Sequence, residues 1–134
     1  MRVISAITVL VPSYEEGLNF FVGTLGFTII EDTVLSPTKR WVLVAPSRSA
    51  ETRLLLARAD GPEQVEAIGN QSGGRVFLFL RTDDIDRDYK RFRAAGVSFA
   101  EEPRVEAYGT VAVFTDPFGN RWDLIEPRDG NAVS

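Results

Sequence analysis

Apolar and polar positions recur along this chain with two periods, one of strands and one of helices. Residues 3–11 (VISAITVLV) form a β-branched apolar run stopped by Pro12, which predicts a strand. Ser13 with Glu16 three residues on fits a capping box. Leu18, Phe21, Val22 and Leu25 then recur at helical spacing, and Gly26 ends the predicted helix. Strands are predicted over 27–30, 41–45 and 52–57, with a turn at Ser36-Pro37-Thr38 and a stop at Pro46. Residues 59–74 read as a connector with a short helix over 63–68 and a pliable Gly/Ser end. The order then returns. A strand covers 76–80. A helix follows Asp83-Asp84, with Ile85, Tyr89 and Phe92 on one face and a stop at Gly96. Residues 97–99 begin a strand or extended arm, and 105–108 lead into a closing hairpin, 110–114 with 121–126. Asp116-Pro117-Phe118-Gly119-Asn120 supplies its turn. Proline presets φ there, and Gly and Asn tolerate left-handed conformations.

The two halves superpose by counting. An offset of 71 carries Val9 onto Leu80, Leu18 onto Tyr89, Phe21 onto Phe92 and Pro46 onto Pro117. The loop after that proline is shorter in the second half. The last strands therefore align at an offset of 68, which pairs Arg53 with Arg121 and Leu55 with Asp123. Two copies of a βαβββ unit, about 3–58 and 75–127, fit this order, and a single α+β domain over 1–130 is expected.

Strand parity sorts the side chains. Trp122 and Leu124 share one face of the last strand, and Arg121, Asp123 and Ile125 share the other. Ile7, Val9 and Val11 are expected under the helix, with Ala6, Thr8 and Leu10 opposite. Phe77, Phe79 and Arg81 alternate with Leu78 and Leu80. One sheet face is then purely apolar. The other mixes Thr8, Arg81, Arg121 and Asp123 with Phe77 and Phe79, as a small-molecule cavity requires. Asp123 lies mid-strand in an apolar run, so it either points to water or lines that cavity. An ionised carboxylate in a cavity needs a partner, and Arg121 and Arg81 are the candidates. Trp41 is a candidate stacking wall. Tyr108 is a candidate gate at the cavity mouth, or else an anchor for its loop.

Composition narrows the chemistry. The 134 residues carry a net charge of −4, so no basic field is present to draw a nucleic acid. There is no Cys and no His, which removes thiolate metal sites, disulfides and every imidazole-based catalytic arrangement. No apolar run approaches the ~20 residues of a membrane span, and the N-terminus lacks a signal-peptide layout. A soluble cytoplasmic protein is expected, with no membrane partner.

The paired βαβββ pattern, Thr24-Leu25-Gly26-Phe27, Asp83-Asp84-Ile85-Asp86 and the closing 116–126 segment (DPFGNRWDLIE) resemble the vicinal oxygen chelate superfamily. That group includes glyoxalase I, bleomycin-resistance proteins and extradiol dioxygenases. The resemblance covers about Val3 to Pro127. It implies a sheet curled around a cleft with helices outside, and a homodimer whose modules often pair between chains. It also implies metal ligands on the first and fourth strand of each module, which fall here on Ala6, Leu55, Phe77 and Asp123. Only Asp123 carries a donor oxygen, whereas a transition metal typically takes three or four protein ligands. Glu51 and Glu126 have the wrong parity or lie near strand ends. The resemblance therefore points to the metal-free, bleomycin-resistance-like branch, with no cofactor. The expected function is binding of a small organic ligand, an antibiotic or aromatic metabolite, by Thr8, Trp41, Phe77, Phe79, Arg81, Tyr108, Arg121 and Asp123. The alternatives are a metal-dependent lyase, isomerase or dioxygenase, an acid-base reaction run by Asp123 and Tyr108, and a non-catalytic interaction module.

Overall fold

In each half of the chain the first strand lies parallel to the last, and the strands between complete a mixed sheet. The computed structural model describes residues 1–128, so residues 129 and 130 of the expected domain span lie outside it. The chain divides into a unit over Met1–Ile68 and a unit beginning at Gly69.

The first unit contains β1 (Ala6–Val11), α1 (Tyr14–Leu18), β2 (Thr28–Ser36), β3 (Lys39–Ala45), β4 (Arg53–Arg58) and α2 (Pro62–Ala67). Its sheet has the order β1-β4-β3-β2, with β1 parallel to β4 and the other pairs antiparallel. Val9, Val11, Val42, Val44, Leu54 and Leu56 form its buried sheet face. Residues 3–5, expected to begin the first strand, lie outside β1, and Val3 and Ile4 are exposed.

Ser13 caps α1, accepting from the Glu16 backbone N–H at 3.1 Å. Its hydroxyl also donates to Glu16 Oε2. The helix then widens into a π-helical turn over Asn19–Thr24. That widening rotates the inward face. Tyr14, Gly17, Phe20, Phe21 and Leu25 are buried, while Leu18 and Val22 of the predicted stripe are only half-buried. Gly17 is small for a reason: a Cβ there would meet Leu56 Cδ1 at 3.1 Å and Val11 Cγ1 at 3.2 Å. Gly26 ends the segment in the left-handed region, with φ of 77°.

The second unit contains β5 (Val76–Arg81), α3 (Ile85–Ala94), β6 (Ser98–Phe99), β7 (Arg104–Glu106), β8 (Gly109–Thr115) and β9 (Arg121–Pro127). Its sheet runs β5-β9-β8-β6, with β7 also paired to β8. Ile85, Tyr89 and Phe92 of α3 are buried as their spacing predicts. Phe92 meets Phe114 edge-on at 6.1 Å, and Phe114 stacks on Trp122 at 5.5 Å and 16°. Asp84 caps α3 through the Arg87 N–H, while Glu126 Oε1 of β9 accepts from the Ile85 N–H at 2.9 Å.

The registers repeat the counted offsets. In the first unit Thr8 faces Leu55, Val9 faces Leu56 and Leu10 faces Ala57. In the second, the equivalent positions are paired in the same way: Phe79 with Asp123, Leu80 with Leu124 and Arg81 with Ile125. The agreement breaks at one place. Ala6 faces Arg53, but Arg121 faces Val76, because a bulge inserts Phe77 between Val76 and Leu78.

Candidate functional site

Asp123 reaches its position through alternation along β9. Trp122 and Leu124 are buried on the α3 side, so Asp123 turns to the opposite face with Arg121 and Ile125. There it lines an open hollow of about 580 Å³ together with Gly73, Gly74, Arg75, Val76, Phe79 and Arg121. Phe79, directly across from Asp123 on β5, the edge strand of this sheet, is 67% exposed and leaves a large apolar ring uncovered. Arg121 is steadied by a long hydrogen bond from Nη1 to the Gly74 carbonyl at 3.4 Å.

The Asp123 carboxylate accepts no hydrogen bond among the described residues, and Oδ1 is sealed from solvent without a partner. Neither Arg121 nor Arg81 forms an ion pair with it, so the partnership expected from strand parity is not made by direct contact. Burial pushes the Asp123 carboxyl above its ordinary value, and the charges of Arg104 and Arg121 pull only partly the other way. Asn120 Oδ1 is also buried without a partner among the described residues, but in an amide whose Nδ2 is held by Asp116.

The first unit holds a second hollow, of about 370 Å³. Thr8, Leu55 and Trp41 line it, together with Tyr14, Lys39, Arg40, Arg58 and Asp60. Trp41, opposite Thr33 on β3, is 38% exposed. Arg40 links the wall beside it. Arg40 grips Asp32 through two nitrogens at 3.1 and 2.6 Å, reaches Glu15 at 3.2 Å and lies over the Tyr14 ring at 5.1 Å. The Tyr14 hydroxyl accepts from the Arg40 N–H at 3.1 Å. These contacts, Asp32 first, raise the Arg40 guanidinium above its ordinary value.

Of the residues expected to form a site, Thr8 and Trp41 share the first unit's hollow, and Phe79, Arg121 and Asp123 share the second unit's. Three lie outside both. Phe77 is the extra residue of the bulge, so Val76 takes the place beside Arg121. Arg81 is an exposed strand end opposite Ile125. Tyr108 is exposed at the tight turn joining β7 to β8, where its carbonyl accepts from the Arg128 N–H at 3.2 Å. It anchors the loop by its backbone. Tyr14 and Arg40 were not foreseen as lining residues, although Arg40 adjoins Trp41 in the sequence. Gly73 and Gly74 belong to the stretch expected to be a connector, and Arg75 follows it at the start of the second module.

The resemblance implied an ion held at positions 6, 55, 77 and 123. Ala6, Leu55 and Phe77 present hydrocarbon there, and no group of three carboxylates converges among the described residues. With no His or Cys in the chain, the donor set does not fit a resident transition metal.

Comparison with known proteins agrees with the fold. Residues 3–124 match the sequence profile described as Glyoxalase/Bleomycin resistance protein/Dioxygenase superfamily. An uncharacterized protein of Shewanella frigidimarina (strain NCIMB 400) is 52% identical over 128 residues, covering 95% of each chain. A superfamily member from Sphaerobacter thermophilus DSM 20745 is 33% identical, with a TM-score of 0.77 over 94% of this chain and 98% of its own. TnmS3, an antibiotic binding protein from Streptomyces sp. CB03234, is 32% identical, with a TM-score of 0.76 over 95% of this chain and 97% of its own. No helix among the described residues is long and apolar enough to cross a membrane. The chain thus belongs to the glyoxalase/bleomycin resistance protein/dioxygenase superfamily.

Proposed function

We propose that this protein binds a small organic ligand, an antibiotic or an aromatic metabolite, without a metal ion. The observation that carries the reading is the hollow of the second unit. It sets an exposed phenyl ring, Phe79, across from a carboxylate that has no hydrogen-bond donor among the described residues, beside the Arg121 guanidinium. Apolar area with a few orienting polar groups is the composition of a ligand site, and the volume lies within the usual range of about 300–1,000 Å³. Trp41 and Thr8, which line the first unit's own hollow, are proposed as ligand contacts of that unit. The antibiotic-binding relative TnmS3 supports the same ligand class.

A metal-dependent lyase, isomerase or dioxygenase needs several donors, and the chain offers hydrocarbon at three of the four positions the resemblance implies. Thermal melting in the presence of aromatic and glycopeptide antibiotics tests the proposal. A binder at a hundredfold its dissociation constant adds about 2.7 kcal/mol of stability and raises the melting temperature by several degrees. A flat response across such a panel, together with turnover of a substrate by metal-loaded protein, would point to the enzyme instead.

A further inference from the structure

We propose that the Asp123 carboxylate is the hydrogen-bond acceptor for a hydroxyl group on an aromatic ligand whose ring lies against Phe79. The inference rests on the ligand-binding reading above and names the chemical class that the second unit's hollow takes.

Three observations lead to it. First, an ionised carboxylate has room for about four hydrogen bonds, and this one accepts none among the described residues, with Oδ1 closed off altogether. A buried acceptor oxygen without a donor is a deficit that native structures rarely leave standing. Second, the residue directly across the parallel ladder is Phe79, whose ring is largely uncovered. The equivalent pair in the first unit is Thr8 and Leu55, so the repeat offers no such combination of acid and ring there. An occupant that satisfies both residues carries a donor and an aromatic face together.

Third, charge selects the kind of donor. Arg75 and Arg121 line the hollow, and the charges of Arg104 and Arg121 act on Asp123. A cationic amine entering there would meet the like charges of Arg75 and Arg121, which offset its attraction to Asp123. A neutral hydroxyl would not, and an electron-rich oxygen elsewhere on the same ring would be welcome beside Arg121. The preferred ligand is therefore a hydroxyaromatic compound rather than an aromatic ammonium ion. Rotation about the Asp123 χ2 angle is broad and two-fold, so either oxygen can take the outward position.

Three matched probes test this on the isotope-labelled full chain by NMR titration: para-cresol, its methyl ether and para-methylbenzylamine. Para-cresol is expected to shift the amides of Phe79, Arg121 and Asp123. It should bind about tenfold or more tightly than the methyl ether, the effect of one hydrogen bond to a charged acceptor. The amine should bind more weakly than para-cresol. Asp123→Leu should bring para-cresol down to the level of its ether. Asp123→Asn, which keeps a carbonyl acceptor and guards against a folding defect in the leucine variant, should retain part of the preference. Phe79→Ala should weaken both neutral probes. Equal binding of para-cresol and its ether at the second unit would overturn the anchor while leaving the ligand-binding reading intact. Tightest binding by the amine, or shifts confined to other residues, would overturn it too. If no probe shifts any resonance, both readings fall.

Discussion

The indole N–H of Trp122 donates to Asp116 Oδ2 at 3.0 Å, tying the last strand to the turn that precedes it. Asp116 is buried, and its carboxylate also collects the backbone N–H groups of Phe118, Gly119 and Asn120 at 2.9–3.0 Å and Asn120 Nδ2 at 3.2 Å. One acid thus closes the turn and sets the strand on which Arg121 and Asp123 are displayed. The rotation of Trp122 inward is what turns Asp123 outward.

Asp116→Ala should therefore be among the most damaging single changes. It strands the buried donors of Asn120 and Trp122, at an expected cost of about 3–5 kcal/mol measured by urea denaturation. Trp122→Phe keeps the stack on Phe114 but loses the indole donor, and should cost less, about 1–3 kcal/mol. A loss below ~1 kcal/mol for Asp116→Ala would show that the turn holds without its acid.

Glu126 gives a second stability test. Its Oε1 satisfies the free N–H of Ile85 at the start of α3, a group the helix itself leaves unpaired. Glu126→Ala is expected to destabilise the fold by about 1 kcal/mol, and Glu126→Gln by less, since the amide still accepts. Hydrogen exchange at the first turn of α3 should quicken in the alanine variant and barely change in the glutamine variant.

The inward and outward faces of β9 follow from the alternation of Trp122, Asp123 and Leu124, and the counted offsets reappear as strand registers. The bulge at Phe77 was not visible, because Val76 to Leu80 is apolar at every position and carries no periodic mark of an inserted residue. The length of β2 was missed for a different reason. Glu31 and Asp32 read as the end of a strand, yet β2 is an edge strand, where charge is tolerated, and Asp32 is held by Arg40 on β3. The π-helical turn left its trace only in which residues are buried. Glu126 lies on the opposite face of β9 from Asp123, and there it caps α3.

The Asp123 carboxyl makes a prediction about pH. Its folded-state value is raised above the unfolded one, chiefly by burial. The folded protein then binds a proton more tightly than the unfolded chain, so this residue lowers stability as pH rises from the ordinary carboxyl value through the raised one. Asp123→Leu, which installs the residue found at the repeat-equivalent position 55, removes that penalty. The variant should melt higher than the native protein at neutral pH, and the gap should narrow below about pH 4, where carboxyls of ordinary value protonate. A gap that widened on acidification would mean that Asp123 is stabilised as an anion in the fold.

The central claim is that a small organic molecule binds here without a metal. Isothermal titration of para-cresol tests it most directly, run on protein dialysed against a chelator and on the same protein loaded with zinc, nickel or ferrous iron. The account predicts binding in every case, with dissociation constants agreeing to within about twofold, a difference of only ~0.4 kcal/mol. Heat of binding that appears only in loaded protein, with one ion per chain surviving dialysis, would contradict it.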